Sequence, residues 1–194
     1  MYSSSIAFLL TNDKSWSAHM HDLLLQAGFK ESRMFPRNPA ALTKHRNGPL
    51  PFVFIHSSVG PAYAQRAFTF IRAHTDASVR FLPIVVLTET RDAATILKFI
   101  ELGCDDIITM PLTAAALMER LKRQVGHPLD YFQTDTYFGP DRRQHEATRD
   151  STNEARGKGD HFFRHFSIQR HLQHGVTIID TDVHYPAEST WVLT

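Results

Sequence analysis

The sequence predicts an α/β protein built on a doubly wound parallel sheet of five strands, followed by an irregular C-terminal extension. Three observations lead there. Short apolar, β-branched runs alternate five times with segments of helical periodicity over roughly the first 125 residues. One stretch, Phe81 to Leu112, reads in compressed form as strand, turn, helix, strand. After Gly126-His127-Pro128 the alternation stops and the composition changes.

The stretch from Phe81 to Leu112 organises the rest. Pro83 to Thr88 is a continuous apolar run, as expected of a strand buried on both faces. Ala94, Ile96, Leu97, Ile100 and Leu102 then form one apolar stripe of a helix that opens at Arg91-Asp92 and stops at Gly103. Asp105 to Thr109 returns as a strand, and so short a strand-helix-strand unit requires a right-handed crossover between parallel neighbours.

The other elements follow in order. Ser5 to Leu10 is the first strand. Asp13 or Ser15 caps a helix from Trp16 to Ala27, ended by Gly28. Phe29 to Phe35 is a weak second strand, broken by Pro36 and Pro39, and Ala40 to Lys44 is a short helix. Leu50 to His56 is the third strand, and Ala62 to His74 a helix. Thr113 caps the last helix, Ala114 to Val125, with Ala116, Leu117, Leu121 and Val125 on one face.

Composition narrows the class. The 194 residues suffice for one ordinary domain, 1–126, and an appendage made of a linker arm, 127–160, and a small C-terminal segment, 161–194, and the 42% hydrophobic content is enough for a core. A net charge of +1 gives no bulk attraction to nucleic acid, which is not expected as a partner. The single cysteine, Cys104, excludes an intramolecular disulfide and a cysteine zinc site, and its place after a helix end suits packing. No apolar run approaches ~20 residues, and the N-terminus lacks a signal-peptide pattern, so a cytoplasmic protein without a membrane span is expected.

The fourth and fifth strands also carry a resemblance. PIVVLTE followed by ELGCDDIITMP resembles the response-regulator receiver (CheY-like) domain, in which a strand ending in Thr or Ser precedes LGADDY and a strand ending in Lys-Pro. The similarity covers about residues 4 to 125. It implies a flavodoxin-like sheet of order 2-1-3-4-5, with a crevice beyond the carboxyl ends of strands one, three and five. It also implies a role in two-component, phosphorelay-type signal transduction. In that family the crevice holds a phosphoacceptor Asp, an acidic pair for Mg2+, a hydroxyl and a Lys. The matching positions here are His56 for the acceptor, Thr11 and Asn12 (or Asp13) for the acidic pair, Thr88 for the hydroxyl and Met110 for the Lys. A neutral imidazole does not form the acyl phosphate, and one carboxylate is a poor Mg2+ site. Thr11, Asn12, Asp13, His56, Thr88 and Met110 therefore read as a vestigial phosphorylation pocket. The chain reads as a pseudo-receiver with no catalytic residue, metal or cofactor, and Met110-Pro111 is expected to be cis.

Two surfaces are available for a partner, either another signalling protein or a second copy. One is the family's helix 4/strand 5/helix 5 face, here Arg91, Asp92, Thr95, Lys98, Glu101, Asp105, Glu119, Arg120 and Lys122, which equally suits a solvated face. The other is an arm over 127–160, expected to be partly disordered, with the motif Phe138-Gly139-Pro140-Asp141-Arg142-Arg143 as a docking peptide or plain linker. Phe138, Arg142, Arg143, Arg91 and Lys98 are the docking candidates. Residues 161–173 read as a short helix, and Val176 to Ile179 and Thr190 to Leu193 as strands that form a small hairpin or lie on the receiver-like body. His161 and His165, one helical turn apart, lack a carboxylate to complete a metal motif and are read as packing residues. The leading reading is a non-catalytic, phosphorylation-independent adaptor acting by protein-protein interaction. The alternatives are a cyclic-dinucleotide sensor using Arg142 and Arg143 with Arg33, Arg37 and the tail aromatics, and an orthodox phosphorylated response regulator.

Overall fold

The first sheet has strands β1 (Ile6–Leu10), β2 (Glu31–Met34), β3 (Phe52–His56), β4 (Ile84–Thr88) and β5 (Asp106–Thr109), of which β2 is the polar one. All neighbours are parallel, in the order β2-β1-β3-β4-β5, as the sequence predicts. The computed structural model describes residues 2–45, 48–142 and 162–185. Arg143, His161, residues 143–160 and the proposed strand Thr190 to Leu193 lie outside the described residues.

β3 and β4 are buried along their whole length, which is why they read as unbroken apolar runs. Helices α1 (Lys14–Gln26), α2 (Pro61–Arg72), α3 (Ala77–Arg80), α4 (Ala93–Glu101) and α5 (Ala114–Lys122) connect the strands. Between β2 and β3 the connection is only a 3-10 helix, Pro39–His45. The side chains of Asp13, Asp92 and Thr113 accept hydrogen bonds from the backbone N–H of Trp16, Thr95 and Ala116, so each cap satisfies a first-turn donor. The Met110–Pro111 peptide is cis.

The C-terminal region departs from the sequence reading. It is a regular antiparallel sheet of order β7-β6-β8-β9, not an irregular extension. Its strands are β6 (Pro128–Gln133), β7 (Phe138–Pro140), β8 (Phe163–His171) and β9 (Gly175–His184). The helix expected over 161–173 is corrected to β8, and the arm over 127–142 to β6 and β7. The physical reason lies in β8: Phe166, Ile168 and Arg170 are buried and their neighbours are not, a period of two. Phe162, Phe163 and Phe166 also fit helical spacing, and a short apolar run does not decide between the two. The decision comes from β6, which pairs with β8 from Pro128↔Gln169 to Gln133↔Arg164 across a long sequence gap.

This second sheet closes the amino-terminal edge of the first. The Leu50 N–H, just before β3, donates to Leu172 O (3.0 Å). Ser4 Oγ, before β1, donates to Gln173 Oε1 (3.1 Å). Arg170 Nε donates to Phe81 O, before β4 (2.8 Å), and Arg142 Nη2 to Cys104 O, before β5 (2.7 Å). Phe81, Tyr131, Phe166 and Ile168 form a second apolar core at this seam. Burying such side chains contributes about 1.5–3 kcal/mol apiece.

The seam is keyed by Asp105. Its side chain is 2% exposed. Asp105 Oδ2 accepts from Arg72 Nη2 (2.7 Å) and from the Ile84 N–H (2.7 Å). Its Oδ1 accepts from Arg170 Nη2 (2.7 Å) and from the Tyr131 hydroxyl. Arg72 spends its other N–H groups on the carbonyls of Gly103, Arg80 and Leu82, and Arg170 bonds Gln124 Oε1. Burial raises the Asp105 carboxyl, but the Arg170 and Arg72 guanidinium groups outweigh it and hold the group below its ordinary 3.8. Asp105 is thus no part of a solvated docking face; that expectation is corrected here.

Two glycines let the sheets touch. A Cβ on Gly103 (φ +84°) would sit 2.1 Å from Phe138 O, and one on Gly139 would sit 2.7 Å from Gly103 Cα. Gly28 has a similar φ (+85°), but a Cβ there meets nothing within 4 Å.

Two outcomes follow from the seam. Asp105→Asn leaves two buried guanidinium groups without their anion and should lower unfolding free energy by about 3–5 kcal/mol in urea titration. Gly103→Ala should destabilise by about 1–3 kcal/mol more than Gly28→Ala, because only the first adds overpacking to the shared φ strain. Equal losses for the two alanines would contradict the close approach.

Candidate functional site

The crevice beyond the carboxyl ends of β1, β3, β4 and β5 is the place where a doubly wound sheet holds a ligand. A cleft of about 460 Å³ opens there, lined by Asp13, Ser15, Trp16, His19, Glu89, Met110 and Pro111. Of the six residues named from sequence, Asp13 and Met110 line it. His56, Thr11 and Thr88 are buried and do not line it, each being engaged locally, and Asn12 is exposed on the loop after β1.

His56 ends β3 and is buried because Trp16 covers it. The imidazole and indole stack with centroids 4.5 Å apart and planes 16° from parallel. Ser58 Oγ lies 2.7 Å from His56 Nδ1. Burial lowers the imidazole's affinity for a proton below the ordinary 6.5, while Glu89 and Asp13 pull the other way. The result is an uncharged, stacked ring with one nitrogen occupied.

Asp13 uses Oδ1 to cap α1 through the Trp16 N–H (3.0 Å), and Thr11 Oγ1 accepts from the Asp13 N–H (3.0 Å). Thr88 Oγ1 accepts from the Thr90 N–H (3.1 Å) and lies 3.3 Å from Thr90 O, closing its own loop. Met110 brings no charge. Among the described residues no cluster of three or more His, Cys, Asp or Glu side chains could hold a metal ion. His165 lies on β8, with Nε2 3.5 Å from Asp130 Oδ1.

Glu89 is the carboxylate that the sequence reading missed. It follows Thr88 directly, and the signal was its place one residue past a buried strand end. Trp16 was missed as a partner of His56 because the two are forty residues apart and meet only through the β1–β3 register.

The docking candidates separate. Arg91 and Lys98 are exposed on the loop before α4 and on α4 itself. Phe138 and Arg142 are corrected: they serve the seam. Phe138 packs in the second core with Arg80 over its ring at 4.1 Å, and Arg142 holds Cys104 O. Nor do the proposed sensor arginines converge. Arg33 is paired with Glu31 (2.8 Å), Arg142 is at the amino-terminal edge of the sheet, and Arg37 is at the carboxyl end. Cys104 is buried, which pushes its thiol up to about 12 and leaves it a packing residue.

The class that this architecture defines is the doubly wound, flavodoxin-like α/β fold in the strand order of receiver domains. No protein-family model matches the chain, and no curated protein matches it. Among solved structures it is similar to the receiver domain of a sensor histidine kinase from Pseudomonas aeruginosa PAO1. There the identity is 17%, 63% of this chain and 97% of that one are covered, and the TM-score is 0.50. That domain was crystallised with a magnesium ion coordinated in its active-site cleft. It is also similar to a response regulator from Thermotoga maritima (19% identity, 62% and 97% covered, TM-score 0.48). A third is the signal receiver domain of a histidine kinase from Syntrophus aciditrophicus (20% identity, 62% and 89% covered, TM-score 0.46). At such identities the likeness is one of fold. No helix among the described residues is long and apolar enough to cross a membrane.

The pH dependence of the His56 stack has a definite sign. A folded-state value below 6.5 means that the unfolded chain takes up the proton more readily. The contribution is therefore complete above about pH 6.5 and is lost as pH falls through the lowered value. His56→Gln should flatten this part of the stability profile, measured by thermal melts between about pH 5 and 8. An unchanged slope would show that the imidazole is not held neutral.

Proposed function

We propose that the chain is a non-catalytic, phosphorylation-independent adaptor with a receiver-like body, acting in two-component-type signal transduction by protein-protein interaction. The observation that carries this reading is the stacked, buried His56 at the end of β3, the strand end where receivers present their phosphoacceptor. Trp16 covers one face of the ring and Ser58 occupies Nδ1. The cleft above retains Asp13 and Glu89 without a lysine, since Met110 stands at the β5 end. Acyl-phosphate chemistry needs a carboxylate nucleophile and a divalent ion to neutralise the transferring group. Neither requirement is met by an imidazole under an indole.

The surface left for a partner is the exposed side of α4 with the loop before it, where Arg91 and Lys98 stand beside Leu97, which is 55% exposed. On the flank, Arg120 is paired with Asp106 and Lys122 with Glu119, so those cations are already engaged.

The test uses the full chain, because ending it at Gly126 would strip Asp105 of Arg170 and Tyr131. Incubation with acetyl phosphate and Mg2+ should leave the intact mass unchanged, and beryllofluoride should leave the amide NMR spectrum unchanged. A phosphoryl adduct on any residue, or a Mg2+-dependent spectral change, overturns the reading. In affinity capture, Arg91→Glu with Lys98→Glu should release partners retained by the unsubstituted chain. Retention would move the interface off α4.

A further inference from the structure

A second cavity at the carboxyl end of the sheet carries chemistry that the adaptor reading does not use. It is a groove of about 390 Å³ lined by Leu10, Phe35, Pro36, Arg37, Tyr63, Arg66 and Ala67. Leu10 ends β1, the segment Phe35 to Arg37 directly follows β2, and Tyr63, Arg66 and Ala67 belong to the first two turns of α2. The crossover between β2 and β3 is the seven-residue 3-10 helix, so no full helix covers this part of the sheet face.

The lining is cationic, with no carboxylate in it. Arg37 and Arg66 are both exposed, and neither has a hydrogen-bond or ion-pair partner among the described residues. Contrast Arg33, which is chelated by Glu31, and Arg120, which is chelated by Asp106. Two guanidinium groups facing one groove suit a centre with several acceptor oxygens, as a phosphate has. The rest of the wall is flat and apolar: Phe35 is partly buried, and Tyr63 is 50% exposed on a helix whose other large aromatic residues, Phe68 and Phe70, are buried or partly buried. Aromatic faces of this kind take a flat ring. The volume lies in the range of small-ligand sites, and the place, beyond the carboxyl ends and next to the point where α1 and α2 leave for opposite faces, is where open α/β sheets bind ligands.

We propose that this groove binds a nucleotide, its phosphate held between Arg37 and Arg66 and its base against Tyr63 and Phe35. The site is independent of the adaptor reading and stands whether or not the chain accepts a phosphoryl group. It gives the fold an input at the same end of the sheet as the cleft beside His56.

Calorimetric titration of the full chain with AMP, GMP, adenosine and inorganic phosphate tests it. At least one nucleotide should bind saturably, with adenosine and phosphate each weaker, since each supplies half of the recognition. Arg37→Gln and Arg66→Gln should each weaken nucleotide binding about tenfold or more, the loss typical of a hydrogen-bonded charged contact. Both residues are exposed and without a partner among the described residues, so their variants should melt like the parent chain, and Arg123→Gln, exposed at the end of α5, should bind like it. No saturable binding of either nucleotide at millimolar concentration overturns the proposal. So does affinity unchanged in both arginine variants, or phosphate alone binding as tightly as a nucleotide. Saturable binding of a phosphotyrosine peptide, with none of the nucleotides, assigns the groove to a protein partner and overturns it as well.

Discussion

The Asp105 carboxylate, shared between Arg72 and Arg170, is the constraint on which the two-sheet arrangement depends. Buried ion pairs add little net free energy, since desolvating three charges offsets most of the attraction. The stabilisation comes instead from Phe81, Tyr131, Phe166 and Ile168, which are apolar and undirected. The carboxylate supplies direction. Its four donors come from α2, from the start of β4, from β6 and from β8, and one placement of the second sheet satisfies all of them at once.

This placement accounts for a motif that the sequence suggests as a docking peptide or linker. Phe138-Gly139-Pro140 is β7, and Gly139 lies against Gly103 in the turn that ends α4. Arg142 reaches the next carbonyl, Cys104 O. Glycine at both positions is a matter of space, and phenylalanine at 138 provides a ring for Arg80. The turn between α4 and β5 is thereby fixed from below. The carboxyl ends of the strands, with both clefts, are left to solvent.

The first sheet was legible because its signals are local. Buried strands are continuous apolar runs, and the Asp13, Asp92 and Thr113 caps stand one turn before the groups they satisfy. The second sheet was not, because its signals are relational. Arg72 lies in an apolar helix stripe and Arg170 in an apolar alternation, and each looks like an exception until Asp105 is placed between them. Asp105 itself passed for one charge among many on a surface. In the crevice, the substitutions at His56 and Met110 could be read directly, whereas the Trp16 stack that gives His56 its surroundings required the β1–β3 pairing.

The sequence distance between Asp105 and Arg170, 65 residues, has a consequence for biosynthesis. The sheet of the N-terminal part can pair as soon as β5 leaves the ribosome, yet its lower rim then holds an acid with one of its two bases. Closure waits for a strand translated much later, and contacts so distant in sequence form slowly. Until then Phe81 and the end of α2 stay open to solvent. Strands made well after the first sheet are thus what completes it.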